Sequence, residues 1–152
     1  MKVYRIASRI EIDKFLTNKS FDKIGSKFNE TCINNNHHYQ MDTYYMHFFD
    51  NKSDIFYFYN CLKRFICTYD IPDEILNEYS GIGKYFSKYR YQKEEYVLEY
   101  AIPSKYIKLE YLESIEALPI KYSYKEFLQN GDYNSEPIYS KSNDNLSKKI
   151  II

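Results

Sequence analysis

Apolar residues near the amino terminus recur at every second position. In Lys2–Ala7, Val3, Arg5 and Ala7 share one side and Tyr4 and Ile6 the other, the period of a strand. Ser8 followed three residues later by Glu11 is a capping box, and Ile12, Phe15 and Leu16 then fall at helical spacing. From Thr17 to Met41 no period survives, and Asn34, Asn35, Asn36, His37 and His38 run consecutively. A loop of that length in a small domain is expected to serve function, here as a lid. Alternation returns in Asp42–Phe49, with Tyr44, Met46 and Phe48 facing one way and Tyr45, His47 and Phe49 the other. Asn51 or Ser53 then caps a predicted helix whose apolar stripe is Ile55, Phe58, Tyr59 and Leu62.

Arg64–Asp70 predicts a third strand. Pro72 suits the first turn of a short helix through Tyr79, ended by Gly81-Ile82-Gly83. Glu94–Ile102 predicts a fourth strand stopped by Pro103, and Ser114–Leu118 a fifth. Ser123–Gln129 reads as a helix in which Glu126 completes a second capping box. Beyond Gly131 the text is rich in Asn, Ser and Lys without a period, a tail whose Ile150-Ile151-Ile152 either frays or docks as an edge strand. Strands too close for crossover helices, interspersed with short helices, indicate an α+β fold with a mainly antiparallel sheet. The expected organisation is one domain over residues 1–130 and a flexible or loosely docked tail over 131–152.

A chain of 152 residues has room for one core rather than separate cofactor and substrate domains. Its 21 Lys and Arg balance 21 Asp and Glu, so no long-range field draws it to nucleic acid or an anionic membrane, and any basic site must be local. At 44% hydrophobic and 28% charged the composition is globular, and no run approaches the roughly 18 apolar residues of a membrane span. Arg5 and Arg9 interrupt any apolar leader in Met1–Ile10, so a soluble, cytoplasmic protein is expected. Cys32, Cys61 and Cys67 are too few and odd in number for a disulfide framework, and the last two read as buried structural thiols. Nineteen tyrosines and 10 phenylalanines fit an AT-rich genome, while tyrosine's apolar body and polar tip also suit clefts and interfaces.

The local signatures of phosphate loops, dinucleotide turns, paired cysteines, zinc helices and nucleophile elbows do not occur. A metal site would have to draw on Cys32, His37, His38 and His47, whose spacing matches no standard zinc pattern. In Lys84–Lys93, the cations Lys84, Lys88, Arg90 and Lys93 are interleaved with Tyr85, Phe86, Tyr89 and Tyr91, a mix that suits single-stranded nucleic acid, although the neutral total charge favours a solvated loop whose rings partly cover the core. Three polar residues interrupt semi-apolar strand faces: Arg5 between Val3 and Ala7, His47 between Tyr45 and Phe49, and Glu99 between Val97 and Ala101. They either converge in one cleft or are, separately, a surface arginine, a core histidine and a solvent-facing carboxylate.

The order of these segments resembles the ADP-ribosyltransferase superfamily over about Val3 to Leu118. Tyr4-Arg5 resembles its first motif, Tyr45-Met46-His47-Phe48-Phe49 its central aromatic strand, and Glu99-Tyr100-Ala101-Ile102-Pro103 its late Glu-x-x-(Ile/Leu)-Pro strand. The chain is also similar to small bacterial proteins with Tyr-Arg-Ile, His-Phe-Phe and Glu-x-Ala-Ile-Pro segments. The resemblance implies a split antiparallel sheet, NAD as the co-substrate and a macromolecular acceptor, in a toxin or a phage counter-defence factor. It makes Glu99 the catalytic carboxylate, Arg5 the holder of phosphates or ribose, and His47 the group that orients the nicotinamide ribose, with Tyr45, Phe49 or Tyr59 stacked on the ring. The Ser-Thr-Ser of one large branch is absent, and Val97 stands where arginine-modifying members carry Glu or Gln. The reading of a different class is a non-enzymatic inhibitor or adaptor. It binds a protein or protein–RNA complex through a tyrosine-rich face and Lys84, Tyr85, Lys88, Tyr89, Arg90, Tyr91 and Lys93.

Overall fold

Ser8 is the point at which the first strand becomes a helix. Its extended backbone and its Oγ, which accepts from Glu11 N–H at 3.2 Å, end β1 (Lys2–Ser8) and start α1 (Arg9–Asn18). The computed structural model describes residues 1–86, 94–119 and 135–141. Lys19, left-handed at φ 54, ends α1. Then come β2 (Ser26–Phe28), β3 (Cys32–Asn34), β4 (His37–Tyr39) and β5 (Thr43–Phe49). A 3-10 helix over Lys52–Phe58 leads to β6 (Lys63–Asp70), α2 (Asp73–Glu78) and the hairpin β7 (Ser80–Phe86) and β8 (Glu94–Pro103). Two 3-10 turns, Ser104–Tyr106 and Leu109–Tyr111, and two further strands, β9 (Leu112–Ala117) and β10 (Glu136–Ser140), complete the described elements.

Among the described residues the main sheet runs β10-β9-β6-β1-β5-β8-β7, with β2 also on β5, and its pairings are antiparallel. The α+β class and the mostly antiparallel sheet therefore agree with the sequence pattern. Alternation divides each strand between two cores. On one face Val3, Met46, Phe48, Tyr69 and Ile102 pack with Ile12 and Phe15 of α1 and Leu76 of α2. On the other, Ile6, Phe49 and Ile66 meet Ile55 and Phe56 of the 3-10 helix, and Tyr45 and Ala101 lie under Tyr39 of β4. Burying each such side chain contributes roughly 1.5–3 kcal/mol.

Several expectations are corrected. The stretch from Thr17 to Met41 is not an aperiodic lid. It contributes β2 to the sheet and folds β3 and β4 into a hairpin whose Asn35 and Asn36, at φ 55 and 63, take the left-handed pair that a tight turn needs. His37 and Tyr39 of that hairpin are buried. The helix with the stripe Ile55, Phe58, Tyr59 and Leu62 is instead the 3-10 helix. It buries the adjacent Ile55 and Phe56 and leaves Phe58 and Leu62 exposed, because Asn60 Oδ1 captures the N–H groups of Leu62 and Lys63 and turns the chain into β6. Gly81 and Gly83 do not end α2, which Tyr79 closes through its N–H on Ile75 and Leu76 carbonyls; they lie inside β7. Cys67 is buried but Cys61 is exposed. Glu136–Ser140 pairs with β9 as an edge strand. The predicted helix Ser123–Gln129 and the final Ile150-Ile151-Ile152 lie outside the described residues. Among those described, no helix is long and apolar enough to cross a membrane.

Candidate functional site

The register of β5, β8 and β7 sets Phe49, Glu99 and Gly81 side by side in one row. One row further along the same face, His47 stands opposite Ala101, and beyond it Tyr45 opposite Pro103. Four residues singled out from sequence, Glu99 of β8 and Phe49, His47 and Tyr45 of β5, are thus brought onto one face by two neighbouring strands.

Glu99 has 0% exposure, and each carboxylate oxygen has its own neighbour. Oε2 accepts a hydrogen bond from the Tyr85 hydroxyl. Oε1 lies 3.3 Å from Nε2 of His37, which is also buried. The two glycines of β7 make this possible. A Cβ on Gly81 would lie 2.6 Å from the His37 ring, and one on Gly83 would lie 2.6 Å from Oε1 of Glu99. Burial pushes the Glu99 pKa up, but His37, the Tyr85 hydroxyl and His47 outweigh it and hold the carboxyl below its ordinary value. Burial, with Glu99, pushes the Tyr85 hydroxyl far up, so it stays a phenol and a donor.

His47 meets the Tyr39 hydroxyl through Nε2 at 2.9 Å. Burial lowers its pKa to about 4, against the pull of Glu99, so the imidazole is neutral near neutral pH. The Tyr45 hydroxyl accepts from Gln40 N–H at 2.9 Å, and its ring meets Tyr39 edge-on at 4.8 Å. Tyr59 packs against the Phe49 and Ile55 cluster, and its hydroxyl donates to the Pro119 carbonyl at 3.2 Å.

The structure does not bring Arg5 to this face. Tyr4 pairs with Phe49, which turns Arg5 to the side of Val3, Ala7 and Cys67. There it forks onto Glu11 at 2.6 and 3.0 Å, and Nη1 reaches only the backbone carbonyl of His47, at 3.3 Å. Glu11 outweighs the cost of burial and keeps Arg5 charged. Lys84 is paired with Glu94 at 3.2 Å, and Tyr85 is turned inward to Glu99. Lys88, Tyr89, Arg90, Tyr91 and Lys93 lie outside the described residues.

The sequence pattern places His37 in an aperiodic stretch and Gly81 and Gly83 at a helix end. The signal that finds them is two glycines two apart in a chain with only four, the spacing that clears one face of a strand. Beside this cluster opens a cleft of about 300 Å³, lined by His37, Tyr45, Tyr79, Ser80, Lys105 and Tyr106 among others. Among the described residues no three His, Cys, Asp or Glu side chains converge as a metal site. The chain matches no protein-family model, no curated protein and no solved structure. Chemically, the site offers an ionised carboxylate in a water-poor setting, two imidazoles and aromatic walls. Such a group opposes a developing positive charge and accepts strongly from hydroxyls.

Proposed function

We propose that the protein is an NAD-dependent ADP-ribosyltransferase-like enzyme, acting on a macromolecular acceptor as a toxin or counter-defence factor, with Glu99 as its catalytic carboxylate. The observation that carries this reading is the shared face of Glu99, Phe49, His47 and Tyr45 beside the cleft. The α+β class and the mostly antiparallel sheet are those the resemblance implies, although among the described residues the main sheet is continuous rather than split. Cleavage of the nicotinamide–ribose bond develops an oxocarbenium-like cation, which a fixed carboxylate stabilises while accepting from a ribose hydroxyl. The Tyr85 hydroxyl donates to Oε2 from the position such a ribose hydroxyl would take once Tyr85 withdraws. Neutral His47 orients by hydrogen bonding, and Tyr45, which lines the cleft, offers a ring, whereas Phe49 is packed in the core beneath Tyr85 and Phe58. Arg5, bound to Glu11 on the reverse face, has no part in this site; Lys105 at the cleft supplies a cation for phosphate. Saturation-transfer NMR with NAD, with nicotinamide release followed in the same samples, tests the reading. Wild type should bind and turn over and Glu99→Gln should lose turnover; absence of binding at millimolar NAD would sink it.

A second reading, a binding adaptor, draws on the reverse face of the β7–β8 hairpin. Ile82 stands opposite Leu98 there, and Ile82, Phe86, Tyr96 and Leu98 are all exposed. Under that reading Tyr96→Ser and Phe86→Ser weaken capture of a partner while Glu99→Gln leaves it intact.

A further inference from the structure

His37 touches both the buried carboxylate and the open cleft. Its Nε2 is sealed from solvent 3.3 Å from Oε1 of Glu99, and neither atom has a hydrogen-bond partner with good alignment. His37 also lines the cleft, whose other walls include Asn36, Gln40, Thr43 and Ser80. Gly81 supplies the floor on which the ring lies, so its placement is built into the strand. An imidazole with one nitrogen turned to a buried carboxylate presents its other nitrogen as a base, because the carboxylate fixes the tautomer and stabilises the imidazolium. Loose alignment of such a pair is usual before a ligand is bound.

We propose that His37 and Glu99 form a histidine–carboxylate dyad in which Nδ1 of His37 is the general base for a hydroxyl-bearing ligand in the cleft. The ligand's O–H bond breaks, its electron pair stays on oxygen, and the proton forms an N–H bond at Nδ1, leaving an imidazolium opposed by Glu99. The polar walls suit a ligand rich in hydroxyl or amide groups, and the Tyr45, Tyr79 and Tyr106 rings one with a flat face. The inference rests on the Glu99 site but not on NAD. If the proposed transfer operates, the same oxygen bonds the ribose carbon as the nicotinamide leaves with the electron pair of the broken bond, and the acceptor is a hydroxyl.

Long-range proton–nitrogen NMR on histidine-labelled protein at alkaline pH reads the tautomer directly, and His37→Gln assigns the resonance. The dyad requires a protonated Nε2 and a bare Nδ1; a protonated Nδ1 would overturn it. Diethyl pyrocarbonate, mapped by mass spectrometry, gives a second reading in the wild type. The expected result is modification of His37 alongside exposed His38. Reaction at His38 with none at His37 would show that Nδ1 does not face the cleft and would overturn the proposal. Neither measurement uses NAD, so absence of NAD binding together with a bare, reactive Nδ1 would remove the transferase reading and keep the dyad.

Discussion

Arg5 and Glu99 lie on opposite faces of the same sheet, the arginine forked onto Glu11 of α1 and the carboxylate enclosed by His37 and Tyr85. Arg5 and Glu11 are each only 14% exposed, so removing one partner strands a charge in a poorly solvated place. Arg5→Ala should cost about 3–5 kcal/mol of stability. The double variant Arg5→Ala with Glu11→Ala should recover part of that loss in denaturant unfolding. Protein that remains folded should keep whatever affinity the Glu99 face has for NAD; selective loss of binding without loss of stability would return Arg5 to the site.

The placement of Arg5 shows what was legible in the sequence and what was not. Alternation assigned Val3, Arg5 and Ala7 to one side of β1, and Tyr45, His47 and Phe49 to one side of β5, and both assignments agree with the structure. Which side of one strand adjoins which side of the next depends on register, and that is fixed by long-range packing. Tyr4 opposite Phe49 decides it, and no local pattern contains that pairing. The same limit hid His37. Its neighbours Asn35 and Asn36 carry the mark of a tight hairpin turn, but the strands they join are three residues each, too short for a period to register. Glu11 had two legible features, its charge and its place in a capping box; only the fold shows that its side chain serves Arg5.

Substitution of the glycines by alanine should rank in a definite order. At Gly25, φ +98 already disfavours a side chain, and the Cβ would fall 2.8 Å from the Tyr45 carbonyl carbon, a backbone atom that cannot step aside. At Gly81 the obstacle is the His37 ring and at Gly83 the Glu99 carboxylate and the Tyr85 ring, all side chains. Gly25→Ala should therefore be the most destabilising. Gly81→Ala and Gly83→Ala should each cost about 1–3 kcal/mol and should displace the His37 and Tyr85 resonances in NMR spectra. Chemical denaturation of the three variants checks the order.

His47 sets a pH window for stability. Its folded pKa, about 4, lies below that of an exposed histidine. Between those values the unfolded chain binds a proton that the folded chain refuses, so stability is complete above about pH 6.5 and drains as pH falls towards 4. The loss is on the order of 3 kcal/mol if the whole shift is realised. Glu99, whose folded pKa is depressed, contributes in a lower window: its share is present above the ordinary carboxylate range and disappears only as pH falls through its folded value. Unfolding followed from pH 7 downwards should show a first decline for wild type that is absent in His47→Gln and a second, more acidic one shared by both.

Tyr85 gives the sharpest separation between packing and function. Its ring stacks on Tyr57 at 5.0 Å and meets Phe49 at 6.1 Å, while its hydroxyl caps Oε2 of Glu99. Tyr85→Phe keeps the ring contacts and deletes the donor, so the change in stability reports the hydrogen bond to an ionised acceptor, about 1.5–3 kcal/mol. It also frees the carboxylate oxygen that the proposed reaction assigns to a ribose hydroxyl. A variant that is less stable yet binds NAD more tightly than wild type is the expected outcome, since a ligand hydroxyl no longer has to displace the phenol. Calorimetric titration with NAD, set beside the unfolding free energy of the same samples, separates the two effects. Lower stability with unchanged or weaker NAD binding would mean that Tyr85 only completes a buried polar cluster.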